Sequence, residues 1–164
     1  MSKDELNHAL IVAAIGNNVE GVVKLLRKGA RIDTASHDGF QPLHFAALHG
    51  GKEAAELLIA RGAKVDARTN DGSQPLHLAA VNGRKEIALL LLAQMADPLA
   101  LNNKGQTPYG CLCNNREIRK EMEALLEVAE REWKDPALRE RRAMAEHLAR
   151  QRKLGALRQK GPAL

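Results

Sequence analysis

A period of 33 residues is the feature that most constrains how this chain can fold. One segment begins at Asp38 and reads DGFQPLHFAALHGGKEAAELLIARGAKVDARTN; a second begins at Asp71 and reads DGSQPLHLAAVNGRKEIALLLLAQMADPLALNN. The offset between them is 33 residues, and their opening glycine and proline recur in phase as Gly105 and Pro108. A fixed period of this length is typical of a chain built from stacked copies of one small unit.

The residues within each segment predict a tight turn followed by two helices. The Asp-Gly pair suits the turn, because glycine tolerates a positive φ. Pro42 and Pro75 suit the first turn of an inner helix, where the missing N–H costs nothing. Apolar residues then recur at i, i+3 and i+4 in KEAAELLIARG, which predicts an outer helix. No single unit can bury its apolar face alone, so stacking must supply the core.

Residues 4–115 resemble the ankyrin-repeat family, whose T-P-L-H-x-A signature reads here as Q-P-L-H-F-A and Q-P-L-H-L-A. The resemblance implies an all-α, helix-turn-helix solenoid of about four repeats. The first would be atypical, the next two complete, and the last a degenerate one that starts near Lys104. It further implies that His44 and His77 form hydrogen bonds between adjacent repeats, and are neither catalytic nor metal-binding.

Two departures from the family pattern lead to specific expectations. Gln41 and Gln74 replace the threonine of the signature, and we expect each glutamine to form a hydrogen bond near its turn. Met95 stands one period after Gly29 and Gly62, at a position where glycine would end a helix. A non-glycine residue with left-handed geometry costs roughly 1 kcal/mol, so we expect local strain at Met95.

The sequence predicts two domains with different charge. Residues 1–135 form the repeat domain, including an extended last helix over residues 116–135. Asp135-Pro136 is typical of an N-cap followed by proline at the first helical position, so a new helix is expected to begin there. Residues 136–164 form a basic, helical or partly disordered tail, with 8 Lys and Arg against 2 Asp and Glu. The chain's net charge of +5 therefore belongs to the tail.

Composition and motifs exclude several classes of protein. Only 2% of residues are aromatic, which argues against an aromatic-rich β fold. Cys111 and Cys113 are too close together for a useful disulfide, and their spacing does not suit a metal site. No catalytic motif is present. We therefore expect a monomeric non-enzyme without cofactor, metal or small-molecule substrate, located in the cytoplasm, with the nucleus as the alternative.

The resemblance implies that the chain binds another protein through its turn tips and its inner-helix face. The matching positions are His37, Asp38, Phe40, Leu48, His49, Asn70, Asp71, Ser73, Val81, Asn82, Lys104 and Gln106. Phe40 has two interpretations at this stage. Aromatic side chains are enriched at binding hot spots, so the ring could contact a partner. Alternatively, it could pack over the next turn.

The basic tail offers a second, different hypothesis for function. Its cations could tether the chain to an anionic partner, namely an acidic protein, a nucleic acid or a lipid surface. The alternatives are a solvated tail and a nuclear-import signal. The residues concerned are Arg139, Arg141, Arg142, Arg150, Arg152 and Lys153.

Overall fold

The computed structural model describes residues 2–112, 115–138, 140–141 and 144. Within these ranges the chain is helical and contains no strand, which confirms the all-α prediction. The helices are α1 (Lys3–Ile15), α2 (Val19–Arg27), α3 (Pro42–His49), α4 (Lys52–Ala60), α5 (Pro75–Val81), α6 (Lys85–Ala93), a 3₁₀ helix (Tyr109–Cys111) and α7 (Arg116–Lys134).

Three helix pairs stack to form the core. Helix α1 packs on α2, α3 on α4, and α5 on α6; the inner helices α1, α3 and α5 also pack on one another in that order. Leu10, Leu43 and Leu76 lie one period apart on the inner helices, and all three are buried. The alanine pairs that follow them, of which Ala46-Ala47 is one, are buried as well. Small side chains there allow the inner helices to approach closely, which accounts for the scarcity of aromatic rings.

Positive φ angles recur with the same period. Gly29 has a φ of +95° and Gly62 a φ of +98°, and each follows the end of an outer helix. Met95 occupies the third equivalent position with a φ of +64°. The prediction that methionine adopts a left-handed conformation there is therefore confirmed.

The fourth unit keeps its turn but not its inner helix. Where the pattern of α3 and α5 would predict a fourth inner helix, the chain forms only the 3₁₀ helix Tyr109–Cys111. Cys111 thus lies in a short turn, and Cys113 lies outside the described residues. Helix α7 follows as the outer helix of this unit and buries three side chains, Met122, Leu126 and Ala129.

The chain divides into two compact units, Met1–Ala129 and Glu130–Leu164. Within Glu130–Leu164, Asp135 accepts a hydrogen bond from the backbone N–H of Ala137 at 2.9 Å, and residues 136–138 are helical. This is the cap predicted from Asp135-Pro136. The predicted domain boundary at residue 135 stays a prediction. Among the described residues, no helix is both long and apolar enough to cross a membrane.

Candidate binding face

Hydrogen bonds between successive turns form a ladder. The backbone N–H of Asn70 donates to the carbonyl oxygen of Asp38 at 3.0 Å, and its side-chain amide donates to that of His37 at 2.9 Å. One period later, Asn103 repeats both bonds, to Asp71 at 2.9 Å and to Asn70 at 3.0 Å. The amide of Asn70, predicted to contact a partner, is thus engaged in holding two turns together.

Glycine in each stacked turn is required by this close approach. Gly39 has a φ of +80°, and a Cβ added to it would lie 2.8 Å from the backbone nitrogen of Asn70. Gly72 has a φ of +77°, and its Cβ would lie 2.9 Å from the nitrogen of Asn103. A Cβ on Gly105 would meet no atom of the described residues within 4 Å. Within the described part of the chain, the ladder therefore ends at the fourth turn, which contains Gly105.

Buried histidines on α3 and α5 join these inner helices to chain segments that follow them in the sequence. His44 accepts a hydrogen bond at Nδ1 from the backbone N–H of Gln41 (3.1 Å), and its Nε2 lies 3.0 Å from the carbonyl oxygen of Ala67. Since Nδ1 is an acceptor, the proton is on Nε2, which donates to that carbonyl. Burial lowers the pKa of His44, and the hydrogen bond to Ala67 opposes this in part.

His77 makes the equivalent contacts in the third unit. Its Nδ1 accepts from the backbone N–H of Gln74 at 3.2 Å, and its Nε2 contacts the carbonyl oxygen of Gln106 at 3.0 Å. Burial again lowers the pKa. The contact with Gln106 reaches into the next unit, as the resemblance implies. No group of three or more potential metal-ligating side chains occurs among the described residues.

The glutamines that replace the signature threonine do not cap their helices. Neither Gln41 nor Gln74 makes a side-chain cap hydrogen bond. The expectation that each would form a hydrogen bond near its turn is wrong for Gln74: its Oε1 is buried, and no described residue provides a hydrogen-bond partner. The physical reason is local, because the backbone carbonyl of Gln74 and the ring of His77 already satisfy the first-turn N–H groups.

A cleft of about 320 Å³ lies where the third turn, α5 and the fourth turn meet. Its lining includes the side chains of Leu78 and Cys111 in addition to five residues that the sequence predicted to bind a partner. Those five are Asp71, Ser73, Val81, Lys104 and Gln106. The structure thus brings together in one concave site residues that are up to 35 positions apart in the sequence.

The carboxylate of Asp71, which lines the cleft, is held in place by hydrogen bonds within the third turn. Asp71 accepts hydrogen bonds from the Thr69 hydroxyl and from the Ser73 hydroxyl, the latter at 3.1 Å. The Thr69 hydrogen bond is the largest cause that keeps the pKa of Asp71 below its usual range. The carboxylate is therefore ionised at neutral pH. Ser73 is only 5% exposed, so it shapes the turn more than it contributes surface.

The other predicted contact residues lie outside the cleft lining. His37 and Asp38 are exposed at the second turn, with His37 Nδ1 3.6 Å from the Asp38 carboxylate. Leu48 is half-buried and His49 exposed at the end of α3. Asn82 is exposed after α5, and its side chain donates to the carbonyl of Leu78 at 2.9 Å.

Phe40 packs against α3, the inner helix of its own repeat. Its ring centroid lies 5.4 Å from that of Phe45 and 5.9 Å from that of His44, and it is half-buried against the core. These contacts are with the inner helix of its own repeat, whereas the packing interpretation placed the ring over the next turn. Its half-exposed edge keeps the contact with a partner as a prediction.

Sequence reasoning missed two exposed residues on α1. Val12 is 53% exposed and Ile15 38% exposed, one period before Phe45 and Leu48 respectively. The signal was the 33-residue period, extended one step back into the atypical first unit.

Of the six basic tail residues, only Arg141 belongs to the described residues, where it is exposed.

Comparison with known families agrees with this geometry. A family model described as ankyrin repeats (3 copies) matches residues 10–102, which is more than half of the 164-residue chain. The chain belongs to the ankyrin-repeat family. The matched ankyrin repeats contain both bridging histidines and the first two stacked turns. No curated protein matches the chain.

Proposed function

We propose that this ankyrin-repeat chain is a non-catalytic adaptor or scaffold that binds a protein partner on its turn tips and inner-helix face. Ankyrin repeats are generally protein–protein interaction modules. The observation that carries the proposal here is the cleft, which gathers five of the predicted contact residues, among them the exposed apolar side chain of Val81.

The rigidity of the face supports the same function. The Asn70 and Asn103 ladder bonds fix the turn tips, while His44 and His77 fix the inner helices beneath them. A surface held in one arrangement loses little conformational entropy when a partner binds. The backbone therefore supplies the preorganisation, and the exposed side chains supply the specificity.

A matched pair of substitutions tests this proposal. Val81 on inner helix α5 is 43% exposed, and Leu89 on outer helix α6 of the same unit is 47% exposed. Val81→Asp and Leu89→Asp therefore place the same charge on similarly exposed apolar positions of opposite helices. Proteins captured from a lysate of the native host cells should be lost with Val81→Asp and retained with Leu89→Asp.

The reverse pattern, or equal capture by both variants, would exclude the inner-helix face as the binding surface. Circular dichroism of both variants checks that each remains folded.

We also propose that the chain acts as a monomer in the cytoplasm, with the nucleus as the alternative.

The charge of residues 136–164 supports a second candidate, in which the tail tethers the chain to an anionic partner. Such binding releases counterions and weakens steeply as salt increases. Binding by the repeat face should change much less. Comparing capture by the full chain and by residues 1–135 at low and moderate salt separates the two, because only tail-driven capture needs residues 136–164.

A further inference from the structure

Apolar side chains form two rows across the inner helices. Ile15, Leu48 and Val81 occupy equivalent positions on α1, α3 and α5, and are exposed or half-buried. A second row, one helical turn earlier, consists of Val12, which is exposed, Phe45, which is half-buried, and Leu78, which is only 8% exposed and lines the cleft. On α3 and α5, the neighbouring positions that face the core hold the buried histidine and alanine pair. We call the two rows together the apolar stripe.

The spacing of the stripe selects one kind of partner backbone. Packed helices lie about 10 Å apart, so successive members of a row are separated by that distance. Every seventh residue of an α-helix recurs on the same face after about 10.5 Å. In a β-strand, residues on one face are about 6.7 Å or about 13 Å apart, and the residue at about 10 Å points to the opposite face. A helix therefore matches the stripe, whereas a strand does not.

Charges on the turn tips add a second requirement. Asp71 lines the same cleft as Leu78 and Val81, so its carboxylate borders the stripe. Asp38 is the equivalent residue of the preceding turn and is exposed. Lys104 borders the cleft at the next turn. Two exposed arginines add cations: Arg68 donates to the carbonyl oxygens of Gly72 and Leu101, and Arg84 donates to that of Leu48 at 3.3 Å. The turn tips thus present carboxylates at the second and third units, Asp38 and Asp71, and a cation, Lys104, at the fourth.

From the spacing and the charges we infer that the partner is an amphipathic α-helix lying across α1, α3 and α5. Its apolar residues at i, i+7 and i+14 recur about every 10.5 Å and face one row on all three inner helices, and those at i+3 or i+4 and at i+10 or i+11 face the other row. Lysine or arginine on its flank faces Asp38 and Asp71, and an acidic residue faces Lys104. This inference rests on the proposed function, since it specifies the partner for the same face.

Two displayed peptide libraries of equal composition test the inference. One places apolar residues at helical spacing and the other at alternate positions, and both carry randomised charged residues elsewhere. Each is selected against the full chain and counter-selected against the Ile15→Asp/Val81→Asp double variant. We expect enrichment from the helical library alone, with basic residues on one flank. Enriched peptides should lose at least tenfold in affinity on Val81→Asp and less than twofold on Leu89→Asp.

Three outcomes would overturn the inference. They are enrichment of alternating peptides, enrichment of helical peptides with acidic flanks, and no binder that depends on Ile15 or Val81. A reduced affinity for helical peptides in Asp71→Asn, with apolar contacts unchanged, checks the charge requirement separately. Lysate capture that depends on Val81 would still support the proposed function if no helical peptide bound. The failure of one is thus distinguishable from the failure of the other.

Discussion

The second and fourth units carry the same turn glycine in very different surroundings. Gly39 lies under the next turn, so any side chain there would collide with the backbone of Asn70. Gly105 has the same positive φ but faces no described atom within 4 Å. The signature histidine differs in the same way between the third and fourth units. His77 of the third unit forms a hydrogen bond with a carbonyl oxygen of the next unit, whereas the equivalent position of the fourth unit is occupied by Gly110. The repeat signature is thus needed where a further unit stacks.

The largest expected effect is that of a side chain in a stacked turn. Gly72→Ala should lower the free energy of unfolding by about 3 kcal/mol, because overpacking against the Asn103 backbone adds to left-handed strain. Gly105→Ala should cost only the strain of about 1 kcal/mol. Urea denaturation of both variants measures the difference. Equal losses would mean that conformation alone requires these glycines.

The next largest effect concerns the bridging histidines. His77→Ala should cost about 2 kcal/mol, since it leaves the N–H of Gln74 and the carbonyl of Gln106 unpaired in or near the interior. His49→Ala is the matched control, because that ring is exposed on the end of α3. A similar loss for both variants would show that the hydrogen bonds contribute nothing specific.

Acid should weaken the fold through the same rings. Burial lowers the pKa of His44 and His77 in the folded state, so below the unfolded value of about 6.5 the unfolded chain binds more protons. Their stabilisation is therefore complete above that pH and decreases as pH falls towards the folded pKa, by at most about 1.4 kcal/mol per pH unit for each ring. Urea midpoints from pH 7.5 to 5.5 measure this. His77→Gln should flatten the dependence, and an unchanged slope would contradict it.

The smallest expected effect concerns the left-handed residues that follow two outer helices, Gly62 after α4 and Met95 after α6. Met95→Gly should raise the free energy of unfolding by under about 1 kcal/mol, because the strain of a φ of +64° is removed while some side-chain burial is lost. Gly62→Ala should lower it by about 1 kcal/mol at a position with space for a methyl group. A loss of stability in Met95→Gly would show that the methionine contributes more by packing than it costs in strain.

Much of this structure follows from the period. Repetition indicated the turns, the paired helices and the left-handed Met95, because each recurs every 33 residues, and the family resemblance implied the bridging histidines. The unpaired amide oxygen of Gln74 could not be foreseen, since it depends on which groups already satisfy the helix start. The sequence indicated that the fourth unit is degenerate, but not that its inner helix is reduced to the 3₁₀ helix Tyr109–Cys111. The site was predicted in part, but Val12 and Ile15 were missed because the first unit lacks the signature.

The ladder also ranks the turns by how easily they open. The backbone N–H of Asn70 lies in a turn that has a stacked turn on either side, whereas the backbone N–H of Asn103 belongs to the last stacked turn described. In a one-dimensional array each unit is stabilised by its neighbours, so opening begins at an end and moves inward. Hydrogen exchange should therefore be faster at Asn103 than at Asn70. A partner that binds across the third and fourth turns would therefore slow hydrogen exchange most at Asn103, in the turn that opens most easily.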